Sequence, residues 1–297
     1  MMRLHELQRN IKLRVSGSEE IYNHLKNLFS DEDRITLEFE PETRFFLPGV
    51  RIDSSEIYFH AVPEQNELQS FVNAIKIVAG GVKEGSEIRI ITFVTPMCPK
   101  CRVTVDAINS LAKKFAIEHH IVDATMFPDF AERYNVMSVP TTFIGKMKFV
   151  GAVDLSKAEK YIRDALNGDY RDYLAEKLRG GEMEDVKALV VEERLGELLG
   201  ELMGHEEFMV RLGAMAAAEA LMGEKEVVEG VRNALRKLLK HEDIRIREDA
   251  AMMLGILGGE EDLEELKDLI REGGRVADSA REAVEEIMRR ENGRNNY

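Results

Sequence analysis

Residues 88–101 read IRIITFVTPMCPKC, an apolar run that leads directly into a pair of cysteines. Residues 88–95 are rich in Ile, Thr and Val and are too few for a typical helix, so they predict a buried strand. Apolar residues then recur at helical spacing over residues 102–116. The pattern therefore places Cys98 and Cys101 at the junction between a strand and a helix.

The segment that follows this helix predicts the rest of an α/β unit. Short β-rich runs alternate with helical patterns, and a loop at residues 136–140 precedes one of the strands. The predicted elements are a strand at 119–124, a short helix at 129–134, strands at 141–145 and 148–153, and a helix at 155–166. With the first strand and helix, they give the order β-α-β-α-β-β-α.

The chain has two cysteines in total, so it has no framework of structural disulfides. A thiolate is the attacking species in disulfide exchange, and a helix N-terminus stabilises a thiolate through its free N–H groups and its dipole. Cys98 occupies that position, Pro99 suits the first helical turn, and Lys100 adds a positive charge. Cys101 lies one turn deeper, where it can resolve a mixed disulfide formed by Cys98.

A structural metal site is the main alternative for the cysteine pair. Tetrahedral zinc takes four ligands, and one CxxC supplies two. His119 and His120 fall on or beside a neighbouring strand, so a four-cysteine site would need a second copy of the chain. A buried, inert pair is a further alternative, which the position at a helix start disfavours. We therefore expect no metal and no cofactor beyond a redox-active Cys98–Cys101 disulfide.

Segments 91–101 (ITFVTPMCPKC) and 134–145 (YNVMSVPTTFIG) resemble the thioredoxin superfamily. More narrowly, residues 88–165 resemble the C-terminal unit of the glutaredoxin-like protein disulfide oxidoreductases, which carry two thioredoxin folds in tandem. The resemblance implies that Pro140 is cis and faces the cysteines, and that the Val139 backbone pairs with an extended substrate chain. It also implies protein disulfides or dithiols as substrates and a thioredoxin-reductase-like electron donor.

Residues 10–80 predict a shortened version of the same unit, without cysteines. Strands are predicted at IKLRV (11–15), ITLEF (35–39), near RFFL (44–47) and at EIYFHAV (56–62), with helices at 19–28 and 67–77. Pro41 is predicted to be the counterpart of Pro140. Tandem family members often hold a CxxC in both halves, and the single pair here excludes a relay between two dithiols. We call this unit without a CxxC the silent half. A tandem pair with one silent half also resembles the N-terminal domain of the flavoprotein reductases that serve peroxiredoxins.

The pattern departs from thioredoxins at two positions. Six residues before Cys98, thioredoxins usually bury an aspartate that helps to move protons, and here the residue is Thr92. His119 falls where thioredoxins bury a lysine. With an unperturbed pKa near neutrality, His119 could relay protons. The interpretation that we favour is that His119 caps a strand in partial contact with solvent.

From residue 171 onward, strand patterns disappear and amphipathic helical patterns repeat. Residues 197–223 align with 233–259 at an offset of 36, and a fainter third copy follows. The Val-Arg-x-x-Ala and Leu-x-Gly spacings in these copies resemble HEAT repeats. His205 and His241 share a register but lie one repeat apart, so they are expected in loops between helices rather than in a metal site.

The net charge of −14 is unevenly distributed along the chain. Residues 171–297 hold 31 acidic and 20 basic side chains, a net charge of −11, which leaves −3 for residues 1–170. This acidity argues against nucleic-acid binding. No apolar stretch approaches the length of a membrane span, and the N-terminus lacks a secretory signal, so a cytoplasmic location is expected. Three glutamines, no tryptophan and abundant Glu, Lys and Arg are typical of proteins from hot environments.

These observations predict two tandem α/β thioredoxin-like units followed by an all-α HEAT-like domain. The predicted boundaries are 1–84 for the degenerate unit, 85–170 for the redox unit and 171–297 for the helical repeats. The predicted function is a dithiol–disulfide oxidoreductase acting on protein disulfides, with the repeats as a protein-interaction module. The alternative is a redox-sensing or redox-silent scaffold that acts mainly through its repeats.

Overall fold

The computed structural model describes residues 7–294, which divide into a unit that ends at Asp169 and a unit that begins at Tyr170. Within the described residues, every strand lies in the first unit, and the second unit is built from helices. The predicted fold class, an α/β sheet region followed by an all-α repeat region, is therefore confirmed.

The first unit alternates strands and helices in the predicted order. Its elements are β1 Ile11–Ser16, α1 Glu19–Leu28, β2 Ile35–Glu40, β3 Gly49–Ile52, β4 Ile57–His60, α2 Gln65–Ala79, β5 Ile88–Val94, α3 Pro99–Leu111, β6 Ile117–Asp123, α4 Pro128–Arg133, β7 Thr141–Ile144, β8 Met147–Val150 and α5 Leu155–Asn167. Helix α1 begins where the Ser18 side chain accepts a hydrogen bond from the Ile21 N–H, and helix α5 ends at Gly168 in the left-handed conformation.

All eight of these strands form one sheet in the order β2-β1-β3-β4-β6-β5-β7-β8. The two halves meet where β4 pairs in parallel with β6, with Ile57 opposite His119. Every residue of β4 is buried, and β5 and β6 are nearly as buried, as expected for strands covered on both faces. The cysteine-containing half and the silent half therefore share a continuous core.

The segment RFFL was wrongly predicted to be a strand. Residues 44–47 are irregular, and the strand is β3, which begins at Gly49 immediately after Pro48. The Phe45 ring contacts Tyr58 with a centroid distance of 4.9 Å, and the Phe46 ring contacts His120 at 4.2 Å. Phe45 and Phe46 therefore pack across the sheet from a loop. Their apolar side chains do not mark a paired strand.

The assignment of Pro41 as the counterpart of Pro140 is also wrong. Pro48 directly precedes β3, as Pro140 directly precedes β7. Within residues 7–294, Val139–Pro140 is the one cis peptide bond, so Pro48 keeps the trans isomer. The silent half thus retains a proline before its strand but not the backbone geometry of the other half.

The second unit is a stack of helices. They are α6 Arg171–Gly180, α7 Met183–Glu192, α8 Gly196–Leu202, α9 Phe208–Ala220, α10 Lys225–Leu238, α11 Ile244–Leu257, α12 Leu263–Glu272 and α13 Gly274–Arg294, with a short 3₁₀ turn at Glu260–Asp262. Helices α9 and α11 correspond at the predicted offset of 36. Glycines allow close helix contacts, since a Cβ at Gly200 would lie 2.6 Å from the Ala234 Cβ.

His205 and His241 lie in the loops before α9 and α11, as predicted. Each accepts a hydrogen bond on Nδ1 from the backbone N–H two residues later, at 3.0 Å in both loops. They therefore share a structural role in starting the next helix. No helix among residues 7–294 is both long and apolar enough to cross a membrane.

Candidate functional site

The two cysteines form a disulfide at the start of α3. Their Cα atoms are 5.3 Å apart, and Cys98 is the N-cap residue, whose Sγ accepts a hydrogen bond from the Cys101 N–H at 3.1 Å. Cys98 is partly exposed, whereas Cys101 is 2% exposed. An incoming molecule can therefore reach Cys98 and not Cys101.

The local chain path explains why Cys98 lies at this position. Strand β5 ends at Val94, and a turn in which the Cys98 N–H donates to the Thr95 carbonyl at 3.1 Å reverses the chain into α3. Pro99 occupies the first helical position, where its missing N–H is not needed. Lys100 is exposed beside it and adds positive charge to the helix N-terminus.

The loop before β7 lies against the cysteine pair. Val139–Pro140 is cis, as predicted, and the Val139 carbonyl oxygen is 3.9 Å from the Cys98 Sγ. Strand β7 pairs in antiparallel fashion with β5, so the sheet itself holds this loop next to the start of α3. The backbone of Val139 is thus adjacent to the Cys98 sulfur, which is the atom that reacts with a substrate in either direction of exchange.

Thr92 and His119 are both fully buried and contact each other. The Thr92 hydroxyl lies 2.9 Å from His119 Nε2, and His119 Nδ1 lies 2.7 Å from the Asn109 amide oxygen. Burial lowers the pKa of His119 to about 3. The interpretation that His119 caps a strand in partial contact with solvent is therefore wrong, because β6 lies in the interior of the sheet and is covered there by α3.

The hydrogen bonds of His119 also bear on the proton-relay interpretation. Because the Asn109 oxygen can only accept, His119 carries its proton on Nδ1 and accepts from Thr92 on Nε2. Both ring nitrogens are satisfied by partners other than the cysteines. A neutral, satisfied imidazole in this position favours a structural role for His119.

Glu67 is a candidate site residue that the sequence analysis missed. It lies in the first turn of α2, in the silent half, and is 4% exposed. Both of its carboxyl oxygens are buried without a hydrogen-bond partner. Together with Cys98 and Cys101 it lines a small, partly open cavity of about 10 Å³, roughly the space of one water molecule. A buried acid therefore lies beside the disulfide.

The surroundings of Glu67 favour its protonated form. Burial, and after it the negative charges of Asp123 and Glu64, raise the pKa of Glu67 to about 8. The rest of the cavity wall is largely apolar, with side chains such as Phe59 and Val105. Glu67 shares a helical stripe with buried apolar residues of α2, and this is the sequence signal that points to it.

The arrangement combines an accessible sulfur, a buried sulfur and a buried acid. Among residues 7–294, no group of three or more His, Cys, Asp or Glu side chains is placed to hold a metal ion. The chemistry that the described side chains can perform is nucleophilic attack by sulfur, with a carboxyl group close by to exchange a proton.

Comparison with known proteins identifies both parts of the chain. The model of the thioredoxin domain matches residues 86–163, and the model of HEAT repeats matches residues 196–285. A curated thioredoxin from Methanocaldococcus jannaschii is 33% identical over 70 residues, which span 23% of this chain and 82% of that protein.

Two solved structures are similar to part of this chain. A protein disulfide oxidoreductase from Aeropyrum pernix is 22% identical, with a TM-score of 0.46, over 56% of this chain and 90% of that chain. The alkylhydroperoxide reductase AhpF of Enterococcus faecalis is 21% identical, with a TM-score of 0.48, over 53% of this chain and 92% of that chain.

Proposed function

The chain belongs to the thioredoxin family, and from this premise we propose that it exchanges dithiols and disulfides with protein substrates through Cys98 and Cys101. The thioredoxin domain and the disulfide-forming pair support a thiol–disulfide oxidoreductase in general. The observation that carries the proposal is the partly exposed Cys98 bonded to a buried Cys101, with the Val139 carbonyl 3.9 Å from the Cys98 sulfur.

The reaction proceeds by two displacements at sulfur. The Cys98 thiolate attacks a client disulfide, forms a Cys98–client bond and releases the other client sulfur as a thiolate. Cys101 then gives up its proton and attacks the Cys98 Sγ, which releases the second client thiolate and forms the Cys98–Cys101 disulfide. Two electrons pass from the protein dithiol to the client, and the reverse sequence oxidises a client dithiol.

Glu67 serves in this proposal as the group that exchanges a proton with Cys101. The ionised form of Glu67, which is the minor form at neutral pH, takes the Cys101 proton as that thiol attacks, directly or through one water in the shared cavity. With a pKa of about 8 in the disulfide form, Glu67 holds that proton at neutral pH. When the disulfide is opened again, the proton returns to the departing Cys101 thiolate. Glu67 thus supplies the acid that the chain lacks at Thr92.

The helical repeats act in this proposal as the module that selects a protein partner. Their net charge of −11 favours a partner with a basic face and an association rate that falls with added salt. A thioredoxin-reductase-like enzyme is the proposed electron donor. The proposed setting is the cytoplasm of an organism that grows in a hot environment, where the reducing compartment suits a dithiol enzyme.

A redox-silent or redox-sensing scaffold is the second candidate, favoured by the extent of the repeat unit, which spans residues 170–294 of the described chain. Insulin reduction driven by dithiothreitol separates the two candidates. The oxidoreductase proposal expects the wild-type chain to accelerate precipitation of the insulin B chain and the Cys98→Ser variant to match the uncatalysed rate. Equal rates for both proteins would favour the scaffold.

A further inference from the structure

Another cavity of the first unit opens where the two halves of the sheet meet, and we name it the junction pocket. It has a volume of about 390 Å³, and its walls come from α4 and from the loop between β2 and β3. Its floor is formed by β4, β5 and β6 through the buried side chains of Tyr58, Ile91 and His120. Among the described residues that line it, none lies in 95–101 or 136–140, so the pocket is separate from the cysteine site.

The junction pocket is open because the two halves differ in one element. In the cysteine-containing half, α4 connects β6 to β7 and covers the sheet, with the Phe130 ring 5.8 Å from the Phe93 ring of β5. In the silent half, β2 is connected to β3 by residues 41–48, which form no helix. A short loop presents fewer side chains to a sheet than a helix does, so part of the floor stays accessible.

Aromatic rings form most of the apolar surface of the junction pocket. Phe46, which is 43% exposed, lies over His120 with a centroid distance of 4.2 Å, and its ring is 5.3 Å from that of Phe130. Tyr58 stacks on the His120 ring at 4.5 Å, with an angle of 11° between the ring planes. Rings held in fixed positions present flat apolar faces, which favour a planar aromatic ligand.

Two arginines of the junction pocket can bind an anionic group. Arg89 pairs through Nε with Glu118 at 2.8 Å, and Arg44 pairs through Nε with Glu40 at 3.1 Å. The pair of Arg44 and Glu40 is exposed on both sides and therefore contributes little energy. The terminal guanidinium nitrogens of both arginines donate no hydrogen bond to any residue of 7–294. They are therefore available to a carboxylate, whose two oxygens match the guanidinium fork.

Glu118, the acid that lines the junction pocket, is already occupied by partners within the fold. Its oxygens lie 2.8 Å from both Arg89 Nε and His120 Nε2, and 2.9 Å from the Ser86 hydroxyl. These three donors satisfy the carboxylate, and the charge of Arg89 balances its charge. Glu118 thus does not turn the pocket into a site for cations.

We propose that the junction pocket binds a small planar aromatic molecule that carries a carboxylate. Its ring lies on the aromatic walls and its carboxylate pairs with Arg44 and Arg89. Small-molecule sites typically measure about 300–1,000 Å³ and combine apolar walls with a few convergent polar groups, and the junction pocket meets both criteria. The inference does not depend on the proposed function, because the pocket shares no lining residue with the cysteine site.

The test uses the full-length chain in its oxidised form and two probes, naphthoate and naphthalenemethanol. The probes share one ring system and differ in the carboxylate, so the ratio of their dissociation constants isolates the contribution of the charge. Binding is measured by titration of the probe fluorescence. We expect naphthoate to bind about tenfold more tightly than naphthalenemethanol, as one additional charge-assisted hydrogen bond gives.

Variants of the pocket residues locate the binding. The double variant Arg44→Gln, Arg89→Gln should bring the ratio to about one while keeping the affinity for naphthalenemethanol, which reports that the pocket is intact. Phe46→Ala should weaken the binding of both probes. The matched control is Arg133→Gln, which changes an exposed arginine of α4 outside the pocket lining and should leave both affinities unaltered.

Histidine resonances give a second, independent readout. Naphthoate should shift the ring protons of His120 in NMR spectra and leave those of His205 and His241, in the loops of the repeat unit, unchanged. The inference is overturned by equal affinities for the two probes, by an unchanged ratio in the double variant, or by the absence of saturable naphthoate binding. It is also overturned if saturating naphthoate leaves His120 unshifted, since the probe would then bind elsewhere.

Discussion

Replacing Glu67 by Gln should stabilise the protein at neutral pH while slowing its chemistry. The carboxyl group is buried beside the cysteines with neither oxygen hydrogen-bonded, and its pKa is raised to about 8 from 4.5. Ionising the carboxyl group in this buried position lowers the stability of the folded protein. A neutral amide of the same shape cannot ionise and so avoids this loss of stability. The same change removes the group that exchanges a proton with Cys101.

The size of the stability change follows from the linkage between folding and protonation. Between pH 4.5 and 8 the folded chain holds a proton on Glu67 that the unfolded chain has lost, so stability falls as the pH rises. Each pH unit corresponds to about 1.4 kcal/mol, which gives a penalty of about 3 kcal/mol at pH 7. The penalty levels off at about 5 kcal/mol above pH 8. Glu67→Gln should therefore equal the wild type at pH 4 and exceed it increasingly up to pH 8.

Hydrogen exchange provides a suitable assay, because the repeat unit would obscure a global probe of unfolding. The free energy of opening is read from the slowest amides of β5 and β6 in the oxidised protein, between pH 5 and pH 8, after correction for the intrinsic exchange rate. The matched control is Glu20→Gln, the same change at an exposed position of α1, which should leave the free energy and its pH dependence unaltered.

Kinetics test the second half of the prediction. Loss of a positioned proton acceptor typically slows a step by about a hundredfold or more, so Glu67→Gln should accumulate the Cys98–client mixed disulfide while Glu20→Gln does not. The reasoning is refuted if Glu67→Gln gains no stability between pH 5 and pH 8. It is equally refuted if the mixed disulfide resolves at the wild-type rate, since Glu67 would then take no part in deprotonating Cys101.

Three further outcomes are expected. The Cys101→Ser variant should trap clients as mixed disulfides on non-reducing gels and Cys98→Ser should trap none, because only Cys98 is reachable from solvent; the opposite pattern would reverse the two roles. Asp262→Ala should destabilise the repeat unit by about 3–5 kcal/mol in urea titrations, because it leaves the guanidinium groups of Arg232 and Arg236 without their fully buried partner. Asp262→Asn should destabilise the unit less. A chain ending at Asp169 should still reduce hydroxyethyl disulfide but lose the natural partner that the Cys101→Ser trap captures; loss of activity on the small disulfide would make the repeats part of the catalytic unit.

Most of the fold could be predicted from the sequence because its signals are local. The period-2 and helical patterns of residues 88–166 directly reflect which side chains face the core, and they placed the elements of the cysteine-containing half within a few residues. The prediction failed at RFFL, where the apolar residues cover a sheet from a loop. Apolar character alone does not distinguish a paired strand from an irregular segment that lies across a sheet, and Pro48 was the only local mark of where β3 begins.

The site was predictable to the extent that its parts are adjacent in sequence. Cys98, Cys101 and Pro140 belong to motifs with a fixed spacing, whereas the burial of His119 depends on strands contributed by both halves. The position of Glu67 likewise depends on both halves. Its carboxyl group reaches the disulfide only because β4 pairs with β6 and α2 packs on α3, so the junction of the two halves creates the cavity. The silent half lacks cysteines, yet it supplies the acid that the other half lacks at Thr92. If Glu67 has the proposed role, the tandem arrangement forms one chemical site, and separating the halves would remove the proton acceptor from the cysteines.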